Sequence, residues 1–113
     1  MTVQPGTYNI TLQRRADYSA VLQFKDSNGA AIDITGYTVA AQVWDKARTS
    51  KSADFSVAYT DRVNGKVTLS LSDDQTAAFT ASELYYDVLV TDTADIKSYY
   101  LEGIVFIKEG YTA

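Results

Sequence analysis

Three carboxylate groupings are the residues in this sequence whose types and spacing could do acid–base chemistry: Asp73-Asp74, Asp92 with Asp95, and Glu83 with Asp87. Paired Asp and Glu side chains transfer protons or cleave glycosidic bonds when they are held at a set separation across a substrate. Here they sit at a helix start and in turns, where a carboxylate stabilises free backbone donors instead. Asp92 and Asp95 in TDTADIK could face Ca²⁺ together with backbone carbonyls. That loop lacks the alternating oxygen ligands and the closing bidentate Glu of a recognised calcium loop. There is no histidine and no cysteine. The usual general base at neutral pH, the commonest transition-metal ligands, thiol nucleophiles and disulfides are therefore all missing. No Gly-rich phosphate loop occurs. The expectation is a protein that is not an enzyme, with no catalytic residue, no metal and no cofactor.

Arg14-Arg15 with Tyr18 is the nearest approach to a contact for nucleic acid or an acidic partner. Ten basic against fourteen acidic residues give a net charge of −4 and no other basic cluster, which disfavours phosphate-backbone binding. The pair reads as a solvated turn. Asn9-Ile10-Thr11 has the form of a glycosylation acceptor, a match that three residues often make by chance. The start MTVQPGTYNI lacks the basic and long apolar regions of a secretory signal, and no apolar run approaches the ~20 residues that span a bilayer. The expectation is a protein made and used without secretion, binding neither membrane nor nucleic acid.

The elements that must position any site follow from periodicity. The 113 residues, 46% hydrophobic and 21% charged, fit a single domain over 1–113 with a short N-terminal arm. Short alternating runs separated by turn signals at roughly 8–12-residue spacing are the pattern of an all-β sandwich or barrel. Seven runs are predicted. Tyr8, Ile10 and Leu12 mark the first, and Tyr18, Ala20, Leu22 and Phe24 the second, which ends at Asp26-Ser27-Asn28-Gly29. The third, entered through Thr35-Gly36, carries Tyr37, Val39, Ala41 and Val43. Phe55, Val57 and Tyr59 are joined by Asn64-Gly65, a turn dipeptide that tolerates positive φ, to Val67, Leu69 and Leu71. Ser72 and Gln75 form a capping box for one short helical turn. Tyr86, Val88 and Val90 define the sixth run, and Leu101, Gly103, Val105 and Ile107 the seventh, with Asp92 to Lys97 between them. Pro5 precedes the first strand, where a missing donor costs little. KARTSKSA, residues 46–53, has no apolar periodicity and reads as a mobile connection.

The combination of LQRRADYSAVLQFKDSNGAAIDITGYTVAAQV, LSLSDDQTAAFTASELYYDVLVTD and YYLEGIVFI resembles small tailed-bacteriophage virion proteins. It is similar to the N-terminal domain of phage baseplate upper proteins. The shared cues, in order, are the early polar-aromatic strand, the DITGYT entry to the third strand, the QTAA turn, the YDV strand and the LEG strand near the end. They run from about Tyr8 to Ile107; that family often continues into a fibre-like region beyond the point where this sequence stops at Ala113. The resemblance implies an immunoglobulin-like antiparallel β-sandwich of about seven strands with one short helical turn. It also implies a structural role in a tailed-phage virion assembled in the host cytoplasm, multimeric in the particle. The partners would be other virion proteins of the tail, baseplate or fibre, with capsid decoration as the alternative position.

In such a sandwich the third, sixth and seventh strands are neighbours in one sheet. The phase that points Val39, Ala41, Val43, Tyr86, Val88, Val90, Val105 and Ile107 inward leaves an outward set: Gln42 and Trp44, Tyr85, Asp87 and Leu89, and Tyr100, Ile104 and Phe106. A solvated outer face should be mostly polar. This one holds the single tryptophan of the chain and is rich in aromatic and aliphatic residues. Gln42, Trp44, Tyr85, Leu89, Tyr100, Ile104 and Phe106 are therefore the predicted partner interface. Two other readings stay open. Residues 46–53 or the N-terminal arm cover Trp44 within the same chain, or Trp44, Tyr85 and Tyr100 form the stacking platform of a carbohydrate-binding module.

Overall fold

The computed structural model describes residues 6–26 and 28–109; Pro5, the rest of the N-terminal arm before Gly6, and Ser27 of the predicted turn lie outside the described residues. The strands are β1 (Gly6–Thr7), β2 (Ile10–Gln13), β3 (Tyr18–Gln23), β4 (Thr38–Trp44), β5 (Lys51–Asp54), β6 (Ser56–Asp61), β7 (Lys66–Leu71), β8 (Glu83–Thr91) and β9 (Lys97–Lys108). Among the described residues one helix, α1 (Asp73–Ala77), precedes β8. The strands form two sheets, one ordered β1-β9-β8-β4-β5 with β2 also on β9, the other β3-β7-β6. This is the expected immunoglobulin-like sandwich, with β4, β8 and β9 adjacent as the outward-face argument requires.

The alternation predicted for the central strands is the alternation observed. β4 and β8 bury every second residue, as a half-buried strand must. Val43, Val88 and Val105 are fully enclosed; Val67, Leu69 and Leu71 face them from the other sheet, and Phe55, between β5 and β6, joins the same core. The edge of the Phe55 ring meets Tyr86 at 6.0 Å between centroids. The capping box is present, with Ser72 and Gln75 each bonding to the other's backbone. All pairings are antiparallel except those of β1 and β2, which run parallel to β9.

That parallel arm depends on one glycine. Gly103 lies directly across the sheet from Tyr86, and a Cβ on it would come within 2.1 Å of the Tyr8 carbonyl oxygen and 3.1 Å of the Tyr86 ring. Without a side chain at 103, the Tyr86 ring passes over β9 and its hydroxyl donates to that carbonyl at 2.5 Å. The Tyr8 amide donates to the Glu102 carbonyl, and the Ile104 amide donates to Asn9 Oδ1. The break between β1 and β2 is thus bonded on both sides of Gly103. Tyr8 itself is exposed, not a strand residue as its place in the first run predicted.

Two other expectations need correction. Residues 46–53 are not a loose connection: they complete a hydrogen-bonded turn and enter β5, which pairs with β4. Its only buried side chain is Ala53, so an edge strand of this kind leaves no apolar period to read. Tyr100 does not face outward with Tyr85. A bulge opposite Val88 and Leu89 makes Leu101 pair with Val88 and Tyr99 pair with Leu89, leaving Tyr100 as the extra residue. Tyr100 consequently turns inward, its ring 4.5 Å from Phe24 between centroids and its hydroxyl accepting from the Lys25 amide at 3.1 Å.

Gly103→Ala is expected to push the β1–β2 arm off β9, at a cost of about 1–3 kcal/mol for forcing atoms into a packed site. The check is a lowered denaturant midpoint together with faster amide exchange at Tyr8. Unchanged exchange there would show that the arm does not depend on the glycine.

Candidate partner-binding face

β4, β8 and β9 lie side by side, so their outward residues form rows across the sheet. One row is Trp44, Tyr85 and Ile104, and the next is Gln42, Asp87 and Glu102. Leu89 pairs with Tyr99 on one flank, and Phe106 with Glu83 on the other. Trp44, Tyr85, Leu89, Ile104 and Phe106 are all half-buried, each shielded by its neighbours but open above. Together Trp44, Tyr85, Ile104, Asp87 and Glu102 line a concavity of about 460 Å³.

The Trp44 indole N–H donates to Gln42 Oε1 at 2.9 Å, so its polar atom is satisfied two residues along the same strand face. The Arg48 guanidinium stands 4.8 Å from the Trp44 ring centroid, within the range of a cation–π contact. Arg48 is placed there by the turn after β4. The Asp45 carboxylate accepts from the Thr49 hydroxyl at 2.5 Å and amide at 2.7 Å, and from the Ser50 amide at 3.3 Å. The hydroxyl bond above all holds the Asp45 carboxyl below its usual value. Arg48 adopts φ 57, in the left-handed region, and its amide closes the turn on the Asp45 carbonyl. Among the described residues, self-coverage of Trp44 is thus partial: Arg48 of segment 46–53 reaches the ring, and the ring stays half-buried.

Asp87 and Glu102 are direct cross-strand partners, an arrangement that is unfavourable for like charges. Burial, foremost, raises the Asp87 pKa; Glu102 raises it further and Arg48 opposes both. The face therefore combines apolar anchors with a pair of carboxylates that a cationic group from outside would relieve. It offers shape and charge for binding.

Of the predicted interface residues, Gln42, Trp44, Tyr85, Leu89, Ile104 and Phe106 share this face and Tyr100 does not. Tyr99, exposed on the outer side of the bulge, stands where Tyr100 was expected. A stacking platform of Trp44, Tyr85 and Tyr100 is not formed, because the Tyr100 ring turns to the inner side of the sheet, against Phe24. Arg48, Asp45 and Glu102 were missed. Asp45 followed by Thr49 was the available signal, since Asp commonly bonds backbone and hydroxyl groups a few residues on.

Two of the carboxylates first considered for catalysis, Asp92 and Asp73, bond to backbone amides. Asp92 Oδ1 accepts from the Ala94 and Ile96 amides, both at 2.9 Å. Asp73 accepts from the Asp74 amide within the first turn of α1. Arg14 and Arg15 are not merely solvated: both hold the Glu109 carboxylate after β9, Arg15 at 2.7 Å. Those contacts, chiefly the Arg15 hydrogen bond, keep the Glu109 pKa below its usual value.

Because the folded-state pKa of Asp87 is raised, its charge opposes folding at neutral pH, and the cost is relieved as pH falls through that raised value. Asp87→Asn is expected to raise the denaturant midpoint at pH 7. The gain should vanish once the medium is acidic enough to protonate Asp87 in both states. A gain that persists at low pH would assign it to packing instead of charge.

No protein-family model matches the chain, and no curated protein matches it. Solved structures do. The Lin-41 filamin domain is similar over 88% of this chain and 84% of its own, with TM-score 0.50 and 17% identity. A chain in the structure of ICOS in complex with ICOS-L and an anti ICOS-L VNAR domain is similar over 92% of this chain and 56% of its own, with TM-score 0.55 and 10% identity. This chain thus spans little more than half the length of that second neighbour. At such identities the likeness establishes the fold: the chain is an immunoglobulin-like all-β sandwich.

Proposed function

We propose that this protein is a non-enzymatic structural component of a tailed-phage virion, at the tail or baseplate, where it joins fibre or receptor-binding parts to the tail. The observation that carries the reading is the outer face of β4, β8 and β9. A sheet face exposed to water is ordinarily polar. Here Trp44, Tyr85 and Ile104 lie in one row with Phe106 and Leu89 beside them, an aromatic centre of the kind that anchors protein–protein interfaces. The resemblance in DITGYT, QTAA, YDV and LEG supports the virion setting. A symmetric particle repeats its parts, so the protein would act there in several copies. Mass spectrometry of separated heads and tails tests the assignment. Recovery with tails is expected, recovery only with heads would leave capsid decoration, and absence from purified particles would end the virion reading.

The role of the face has its own test. Trp44→Ala is expected to remove the protein from assembled particles, since truncating a central anchor costs about 2 kcal/mol or more of binding. The unfolding midpoint should move much less than for Val43→Ala, whose side chain is fully enclosed in the core. Equal losses of stability in the two variants would make Trp44 a core residue and would remove the interface.

A further inference from the structure

We infer that the partner of this face presents an arginine, whose guanidinium seats between Asp87 and Glu102 with apolar side chains of the partner on either side of it. The inference rests on reading the outer face of β4, β8 and β9 as a protein interface. Asp87 on β8 and Glu102 on β9 stand directly opposite each other and line the same concavity as Trp44, Tyr85 and Ile104. Opposed residues of an antiparallel pair are about 5 Å apart, so one cation can meet both carboxylates. Among the described residues, neither carboxylate accepts a hydrogen bond or belongs to an ion pair. Burial, with Glu102 adding to it, raises the Asp87 pKa. A cation placed between the two removes their repulsion and displaces no existing bond.

The charged row is bounded by apolar rows. Trp44, Tyr85 and Ile104 lie on one side, and Ala40, Leu89 and Tyr99 on the other. Rows on one face are two residues apart along a strand, about 7 Å, so the side chains that flank a basic residue in a partner can reach both. These flanks select a polypeptide over a free metal ion. No group of three or more carboxylates able to hold a metal occurs among the described residues.

Arginine suits the site better than lysine. Its planar guanidinium donates to two carboxylates at once and stacks on aromatic rings, whereas a lysine ammonium is a point charge. The chain itself supplies the example, since Arg48 stands 4.8 Å from the Trp44 ring centroid. Arg48 and Lys46 also line the concavity, but neither forms an ion pair with Asp87 or Glu102. Arg48 acts on Asp87 through space, lowering its pKa against the effect of burial. Both cations belong to the turn after β4, beyond the Trp44 row, and leave the carboxylate end of the concavity to the partner.

Titration of the full chain with acetyl-Leu-Arg-Leu-amide, followed by nuclear magnetic resonance at the Trp44 indole N–H, tests the seat. The same peptide with citrulline in place of arginine is the neutral control. Saturable shifts are expected with a Kd of about 1–10 mM, and the citrulline peptide should bind at least about tenfold more weakly. The double variant Asp87→Asn with Glu102→Gln should lose the arginine peptide by at least the same factor while remaining folded. Arg48→Ala should bind it at least about threefold more tightly, because a competing cation is gone. Weaker binding by Arg48→Ala, equal affinity for the two peptides, or no saturable shift by ~50 mM would overturn the proposal. Incorporation into particles separates this inference from the interface reading. Loss of both Trp44→Ala and the double variant supports the arginine, and loss of Trp44→Ala alone keeps the interface and rejects the arginine. Normal incorporation of Trp44→Ala removes the interface and the arginine with it.

Discussion

Tyr86 across from Gly103 is the contact on which the rest of the structure depends. The ring needs the space that a side chain at 103 would take, and its hydroxyl reaches the Tyr8 carbonyl only through that space. Burial raises the Tyr86 pKa, which keeps the hydroxyl protonated and donating. One residue pair thereby does three things: it fills the layer between the sheets, ties the N-terminal arm to β9, and holds β9 against β8. The arm is too short to be stable on its own, so its place is set by bonds it receives from strands far away in sequence.

Since β8 and β9 are held in this register, their outward residues have no freedom about which face they share. The core and the candidate interface are two sides of the same three strands, and the inward valines place Trp44, Tyr85 and Ile104 together on the reverse. That is why the aromatic row can be exposed without loosening the fold. The cost of the face lies in its charges, with Asp87 opposite Glu102, and Arg48 from the β4–β5 turn offsets part of it. The turn that supplies Arg48 is organised by hydrogen bonds to Asp45 and not by apolar packing.

The two sheets differ in how they end. Among the described residues, the larger sheet finishes in short or charged strands, whereas the smaller leaves β3 open beside a groove that its own chain fills only in part. Tyr100 closes one end of that edge, accepting from the Lys25 amide and donating to the Gln23 carbonyl. An inward turn of one tyrosine at a bulge thus satisfies polar groups at the end of that edge.

The amino-acid sequence by itself determined the sandwich, its central strands and the inward and outward sets of β4 and β8, because side chains alternate along any strand and the valines, tyrosines and tryptophan keep that phase. It also determined the α1 cap and the Asn64-Gly65 hairpin, whose signals are local in the chain. Tertiary structure alone decided three things. Tyr100 faces inward because a bulge in β9 is a mismatch between two strands, and a mismatch has no signature in either strand alone. β5 exists because β4 offers it an edge, so its polar residues need no apolar period. Arg48 reaches Trp44, and Arg14 and Arg15 reach Glu109, across turns and sheet edges. Contacts of that kind depend on where the backbone returns in space, and a linear pattern of residue types does not encode that return.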